Sequence, residues 1–171
     1  MKKYISNEIL CLNETRDADY PALYESWRDD DVILGYNYRQ TRTFDEYVEH
    51  CRNNTYWNAV IARVSDGVLI GRIGLGAGFA DDGPDLSITI FKQYRGQGYG
   101  TTAFALAVRY CFEVLKLDKV YAGCYADNAA SRKTLETCGF EPHPEGNDMD
   151  KHILTGENRM QYDFVIMNPN R

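Results

Sequence analysis

A chain of 171 residues with 44% hydrophobic and 26% charged residues has room for one ordinary domain and the composition of a globular one. That excludes a disordered chain, a collagen-like repeat and a disulfide-stapled miniprotein. Lys and Arg number 19 against 25 Asp and Glu, and the net charge of −6 argues against a general nucleic-acid binder while suiting a cationic amine as substrate.

The N-terminal run MKKYISNEIL has no apolar signal core, and no later apolar run is long enough to span a bilayer. Residues 7–12 read as a first strand. Asp17 or Asp19 can cap a helix whose apolar positions Tyr20, Leu23, Tyr24 and Trp27 recur at helical spacing, with Pro21 in its first turn. The polar, Tyr-bearing stretch 28–42 reads as a loop. Thr43 and Glu46 form a capping box ahead of a short second helix carrying Phe44, Tyr47, Val48 and Cys51 on one face.

The period then changes. Trp57–Val64 and Val68–Leu75 are rich in β-formers and are joined by Ser65-Asp66-Gly67, which predicts a hairpin. Asp81-Asp82-Gly83-Pro84 is a further turn, and Asp85–Phe91 a further strand. A Gly-rich turn leads into a long helix from Tyr99 to about Leu117, with Phe104, Val108, Cys111, Phe112 and Leu115 facing inward and Arg109, Glu113 and Lys116 outward. Lys119–Tyr125 is a strand, Asn128–Cys138 a helix stopped by Gly139, and Met149–Leu154 with Arg159–Met167 a last hairpin. Residues 1–171 therefore read as a single α/β domain with a mixed sheet and a strand–helix–strand crossover in the second half.

Cysteines stand at 11, 51, 111, 124 and 138, an odd number with no CxxC pair. Neither a metal site nor a disulfide framework is expected, and reduced thiols in the cytoplasm are the simplest reading. Chemistry concentrates in Gln93-Tyr94-Arg95-Gly96-Gln97-Gly98-Tyr99-Gly100-Thr101, between a strand and a helix. There the backbone N–H groups and the helix dipole favour an anion, and glycines let it come close. A Walker loop is excluded because no lysine precedes Thr101. A dinucleotide fingerprint fits poorly, since glycines at 96, 98 and 100 have the wrong third spacing.

The run Arg95-Gly96-Gln97-Gly98-Tyr99-Gly100 resembles the Arg/Gln-x-x-Gly-x-Gly/Ala signature of the GNAT superfamily of N-acetyltransferases. Asn128-Ala129-Ala130-Ser131, running on to Gly139-Phe140, resembles that family's second segment, one helix and one strand further on. The resemblance extends from Asn7 to Met167, and the two early helices look most like the branch of ribosomal-protein N-terminal acetyltransferases. It implies a mostly antiparallel central sheet flanked by helices, with a V-shaped splay between the fourth and fifth strands. It implies acetyl-CoA as the donor, with the backbone of Ile88, Thr89 and Ile90 pairing with pantetheine like an added strand. The amides of Arg95, Gly96, Gln97, Gly98, Tyr99, Gly100 and Thr101 would cradle the pyrophosphate, and Asn128 would reach the pantetheine. Ile88 and Ile90 also suit a core strand, and Asn128 a helix cap.

The implied reaction is direct attack by a primary amine, of a small molecule or a protein N-terminus, on the thioester. Many relatives place a Tyr acid seven residues after the motif Asn; here that position is Leu135, and the branch pattern points instead to Ser131, which also sits beside the donor. The glutamate that this branch carries four residues before the Gly of the last hairpin turn, as general base, maps onto His152, with Asp85, acting through water, as the second candidate. Cys124 and Tyr125 are expected near the cleft, and a covalent route through a cysteine stays open. The acidic runs Asp29–Asp31 and Glu145–Asp150 could attract a basic acceptor, and Tyr36–Tyr38 could wall its site. A non-catalytic acyl-CoA-binding or sensor module on the same fold is the alternative, supported by Leu135; an interaction protein whose Gly turn holds nothing is a third reading. No metal, nucleic acid or membrane partner is expected, and the chain would act as a monomer or a homodimer.

Overall fold

In the computed structural model, which describes residues 2–77 and 83–170, the sheet carries the architecture. Its strands are β1 (Lys3–Ser6), β2 (Leu10–Asn13), β3 (Asn58–Arg63), β4 (Leu69–Gly76), β5 (Asp85–Ile90), β6 (Lys119–Tyr125), β7 (Glu141–Pro142), β8 (Asp148–Lys151) and β9 (Asn158–Met167). The order is β1-β2-β3-β4-β5-β6-β9-β7, with β8 beside β9. Every described pairing is antiparallel except β5 with β6. That parallel pair is joined through α4 (Tyr99–Glu113), the crossover expected from the sequence. The expected turn residues Asp81 and Asp82 lie outside the described residues.

Alternation along the strands divides the apolar side chains between two faces. Leu12, Ala59, Ile61, Ile73, Leu86, Val120, Ala122 and Phe164 pack with Phe104, Ala107 and Cys111 of α4. Leu135 from α5 (Ala129–Thr137) joins the same core. On the opposite face Val60 meets Tyr20 and Leu23 of α1 (Tyr20–Ser26) and Tyr47 of α3 (Phe44–Asn53). Each of these fully buried aliphatic side chains is worth about 1.5–3 kcal/mol of transfer free energy. Thr43 caps α3 as expected, its hydroxyl accepting from the Glu46 N–H while the Glu46 carboxylate accepts from the Thr43 N–H.

Four boundaries depart from the sequence reading. The first strand is two strands: Asn7 Oδ1 accepts from the N–H groups of Ile9 and Leu10, turning the chain so that β1 folds back on β2. The stretch read as a loop contains α2 (Asp30–Tyr36), capped by Asp29, whose side chain accepts from the Asp31 N–H, and ended by Asn37 at φ 50°. It buries only Val32 and Ile33, too little periodicity to stand out. The long helix stops at Glu113, where Lys116 at φ 58° lets the Leu117 N–H reach back to the Cys111 carbonyl. The penultimate strand ends at Lys151, because residues from His152 onward form a turn closed by Gly156 N–H to His152 O at 2.8 Å.

Candidate active site

β5 and β6 meet at one end only. Their recorded register is the single pair Asp85–Tyr121, with the Tyr121 N–H donating to Pro84 O at 3.1 Å. Beyond it they separate into a wedge that opens toward Ile90 and Tyr125, the splay expected between these strands. On β5 the Phe91 N–H bonds back to Ile70 of β4, so by alternation the peptide groups of Ile88 and Ile90 face the wedge and those of Thr89 face β4. Of the three residues expected to pair with pantetheine, Ile88 and Ile90 have their backbone in position. The Thr89 backbone is turned away from the wedge, and its side-chain hydroxyl donates to the Tyr36 hydroxyl at 3.2 Å.

The Gly-rich turn stands at the open end of the wedge. Gly96 and Gly98 have φ of 73° and 80°, conformations that a side chain resists, and Gly98 is the N-cap of α4. No side chain caps this helix, and its first internal bond runs from the Thr102 N–H to Gly98 O. The N–H groups of Tyr99, Gly100 and Thr101 are thus presented outward at the positive end of a 15-residue helix. Thr101 Oγ1 lies 3.4 Å from Thr134 Oγ1, which ties this first turn to α5. Gln97 folds its side-chain amide back to Gln93 O at 3.4 Å.

Arg95 points elsewhere. Its Nε donates to Ile90 O at 2.8 Å, and its two terminal nitrogens reach Asp29 and Asp31 at 2.7 and 2.8 Å. The guanidinium is committed to the N-terminus of α2, and only its backbone is left for an anion. Asp29 and Asp31 of the first acidic run are thus paired with Arg95, whose single positive charge leaves the run and its partner net negative. Asp150, in the second acidic run, accepts from the Tyr125 hydroxyl.

Beyond the wedge, Asn128 caps α5 by accepting from the Ser131 N–H at 3.1 Å. This holds Ser131 in the first turn next to the end of β6, half-buried. Leu135 is 3% exposed and belongs to the core under α4, so this helix position faces inward in this chain. Burial pushes the thiols of Cys111 and Cys138 up to about 12 and about 11, and that of Cys124 up as well. Thiols held protonated are poor nucleophiles, which removes support from a covalent route.

His152 is not placed as a base. It is 1% exposed, its Nδ1 accepts from the Leu154 N–H at 3.2 Å, and its Nε2 lies 3.0 Å from Leu34 O. That geometry assigns a neutral ring with the proton on Nε2, donating to the Leu34 carbonyl. Both nitrogens are used, and taking up a proton would break the Leu154 bond. Its role is to hold α2 against the β8–β9 turn, together with Asn37 and Arg159.

Asp85 stands at the closed end of the wedge, and near it lies a carboxylate that sequence reasoning missed. Asp163 of β9 is 3% exposed, and its Oδ1 has no hydrogen-bond partner. Burial pushes its carboxyl up to about 6, the charge of Asp85 adds to the rise, and His143 and Gln161 oppose it. The available signal was an acid inside the otherwise apolar second half of that strand, between Tyr162 and Phe164-Val165-Ile166-Met167.

A cavity of about 1240 Å3 opens on the α1–α3 face of the sheet, apart from the Gly-rich turn. Arg72, Trp27, Tyr38 and Tyr47 line it. Tyr36 divides this cavity from the wedge: its ring lies 5.2 Å from that of Trp27, and its hydroxyl donates to Ile88 O at 2.8 Å. Of the tyrosines expected to wall an acceptor site, Tyr38 lines the cavity and Tyr36, at the end of α2, stands beside it. Among the described residues no cluster of His, Cys, Asp or Glu is arranged to hold a metal, and no helix is long and apolar enough to cross a membrane.

Comparison with known proteins agrees with this geometry. Residues 10–141 match the family model described as acetyltransferase (GNAT) domain. Over 158 residues the chain is 28% identical to the probable N-acetyltransferase YjcK of Bacillus subtilis (strain 168), covering 91% of this chain and 85% of that protein. Among solved structures it is similar to spermidine N-acetyltransferase from Vibrio cholerae in complex with CoA and spermine (TM-score 0.82, 21% identity, 95% and 97% of the two chains). It is also similar to an acetyltransferase of the GNAT family from Bacillus anthracis (TM-score 0.78, 20% identity, 96% and 98%). These likenesses show the fold; they do not single out the ribosomal-protein branch.

Proposed function

We propose that this chain, which belongs to the GNAT acetyltransferase family, moves the acetyl group of acetyl-CoA to a primary amine of a small molecule by direct attack. The observation that carries this reading is the uncapped start of α4, with Gly96 and Gly98 in left-handed conformations, at the open end of a wedge whose strands touch only at Asp85 and Tyr121. The residues present fit the donor. Outward amides at Tyr99, Gly100 and Thr101 suit a diphosphate, and the wedge-facing peptide groups of Ile88 and Ile90 suit an amide-bearing arm. The name of the Bacillus relative and the CoA in the Vibrio structure support the same donor.

The donor supplies an activated thioester carbonyl. The chain's part is to position it and to move protons. Ser131, at the start of α5, holds a proton for the departing sulfur. A wedge-facing strand N–H such as that of Ile88 faces the carbonyl oxygen. The attacking amine must lose a proton, and Asp85 accepts it through water. Asp163 beside it, with its carboxyl up at about 6, is better matched to neutral pH than an ordinary aspartate.

The alternative reading, a module that binds acyl-CoA without turnover, draws on Leu135, a buried apolar side chain at the position where the family pattern has the Tyr hydroxyl. Thiol release from acetyl-CoA across a broad amine panel, with calorimetry of donor binding, separates the two. Steady turnover with any amine supports the transferase. Tight donor binding with no turnover supports the module, and absence of binding removes both.

A further inference from the structure

Arg72 is a cation that nothing in the described structure neutralises. It rises from β4 beneath α1 and α2, its guanidinium carbon 4.3 Å from the Trp27 ring and 5.4 Å from the Tyr36 ring. Its Nε and Nη2 are shielded from solvent and make no hydrogen bond. None of the ion pairs among the described residues includes it. Stacking on two rings offsets part of the cost of burying this charge, but it leaves the N–H groups unsatisfied. Buried donors are almost always partnered, and an orphaned guanidinium in a cavity wall is the group that a ligand completes.

The surroundings specify the ligand. Arg42 lines the same cavity and donates to the Tyr38 hydroxyl at 2.9 Å, and none of the ion pairs among the described residues includes it. The Cys51 thiol also lines the cavity; burial pushes it up, and both arginines oppose that rise. Among the described residues of the lining the acidic one is Glu14, whose carboxylate accepts from the Lys2 backbone N–H. Two guanidiniums inside a wall of Trp27, Tyr38 and Tyr47 suit a planar anion on an apolar stem. They repel a polyamine, which has no group to offer them.

Position links this pocket to the wedge. Arg72 stands opposite Thr89 in the β4–β5 register, and the Tyr36 ring lies 5.4 Å from its guanidinium carbon while the Tyr36 hydroxyl donates to Ile88 O on the wedge side of β5. We propose that the acceptor is a small amine bearing a carboxylate, an amino acid in chemical class, whose carboxylate pairs with Arg72 while its amine faces the wedge. This rests on the transferase reading above. Arg72 then determines specificity by making the carboxylate part of the substrate's anchorage, with Arg42 supplying a second charge.

The test compares L-amino acids, acidic ones included, with their α-amides and with spermidine in the thiol-release assay. Acid forms are expected to exceed the amides in kcat/KM by about tenfold or more, because losing the carboxylate leaves buried donors unpaired. Arg72→Gln should raise KM for the acids by a similar factor with kcat little changed, and should erase the acid–amide difference. Arg72→Lys should restore part of the loss. Circular dichroism and acetyl-CoA affinity confirm that each variant is folded. A readout independent of turnover is tryptophan fluorescence, since Trp27 and Trp57 both line the cavity. Succinate should change it saturably in the wild type and not in Arg72→Gln. Equal rates for acids and amides, a preference for spermidine, or no saturable response to succinate overturns the proposal. A succinate response with no turnover on any amine leaves the pocket standing and removes the transferase reading.

Discussion

The Tyr36 hydroxyl donates a 2.8 Å hydrogen bond to the carbonyl of Ile88, a peptide group on the open edge of β5. A helix that the sequence hides thus reaches the strand that the sequence marks most clearly. Tyr36→Phe keeps the ring against Trp27 and removes the hydroxyl, at a cost of about 1 kcal/mol. Thermal denaturation should show a melting point lower by a few degrees. Donor affinity by calorimetry should not weaken, because an amide arm can take the carbonyl that the phenol leaves. An unchanged melting point, or a much weaker donor complex, contradicts this account of the bond.

Gly98 and Gly100 separate backbone demand from motif membership. Gly98 sits at φ 80°, where any Cβ is strained, whereas a Cβ on Gly100 meets only Ile90 Cγ1 at an ordinary 3.8 Å. Gly98→Ala should cost about 1–2 kcal/mol of stability and weaken acetyl-CoA binding by distorting the amides that start α4. Gly100→Ala should melt with the wild type. If both variants melt alike, the left-handed turn is not what the glycine at 98 is for.

The elements that the sequence declared are those with strong local chemistry. The capping box at Thr43 and Glu46, the Asn128 cap, the Gly139 stop and the alternation of β3 to β5 each depend on neighbours along the chain. What stayed hidden depends on distant partners. Helix α2 has seven residues and two buried side chains, and its ends are held by Arg95 at one side and His152 and Arg159 at the other. The same reason explains the site. The Gly-rich turn is legible because it is contiguous. The neutral tautomer of His152 is set by Leu34, more than a hundred positions away, and the raised carboxyl of Asp163 by burial under β7 and its loop.

Asn128 and Ser131 share one hydrogen bond but different roles. Asn128→Ala removes the cap of α5 and should cost about 1 kcal/mol, whatever the reaction is. Ser131→Ala keeps the capped N–H and deletes only the hydroxyl, so the fold and donor affinity should be unchanged. Turnover should fall about tenfold or more if that hydroxyl protonates the leaving sulfur. Wild-type turnover in Ser131→Ala assigns the proton to another donor.

His152→Ala should behave as the loss of a strut. Two buried hydrogen bonds disappear, leaving the Leu34 carbonyl and the Leu154 N–H without their partner, at about 1–3 kcal/mol. The pH–rate profile should keep the shape of the wild type, measured below the melting temperature of the variant. An inflection that vanishes in His152→Ala would return the imidazole to the proton path.

Asp163 makes a prediction with a definite sign. Its carboxyl rises in the folded state from 3.8 to about 6, so the folded protein holds this proton more tightly than the unfolded chain does. The stability from the neutral form is complete below about pH 4 and is lost as pH rises through about 6. Above that, a buried carboxylate with an unpartnered Oδ1 is a burden of about 1–3 kcal/mol after allowance for screening. Asp163→Asn should therefore melt with the wild type near pH 4 and several degrees above it at pH 8. If Asp163 also draws the proton from the amine, kcat/KM in the wild type should rise through an apparent pKa near 6, and that rise should be absent from the variant. Gain of stability with an unaltered profile would make Asp163 a strained neighbour and leave Asp85 as the base. No gain at pH 8 would mean that the carboxylate finds a partner in solution, and its raised pKa would have to be given up.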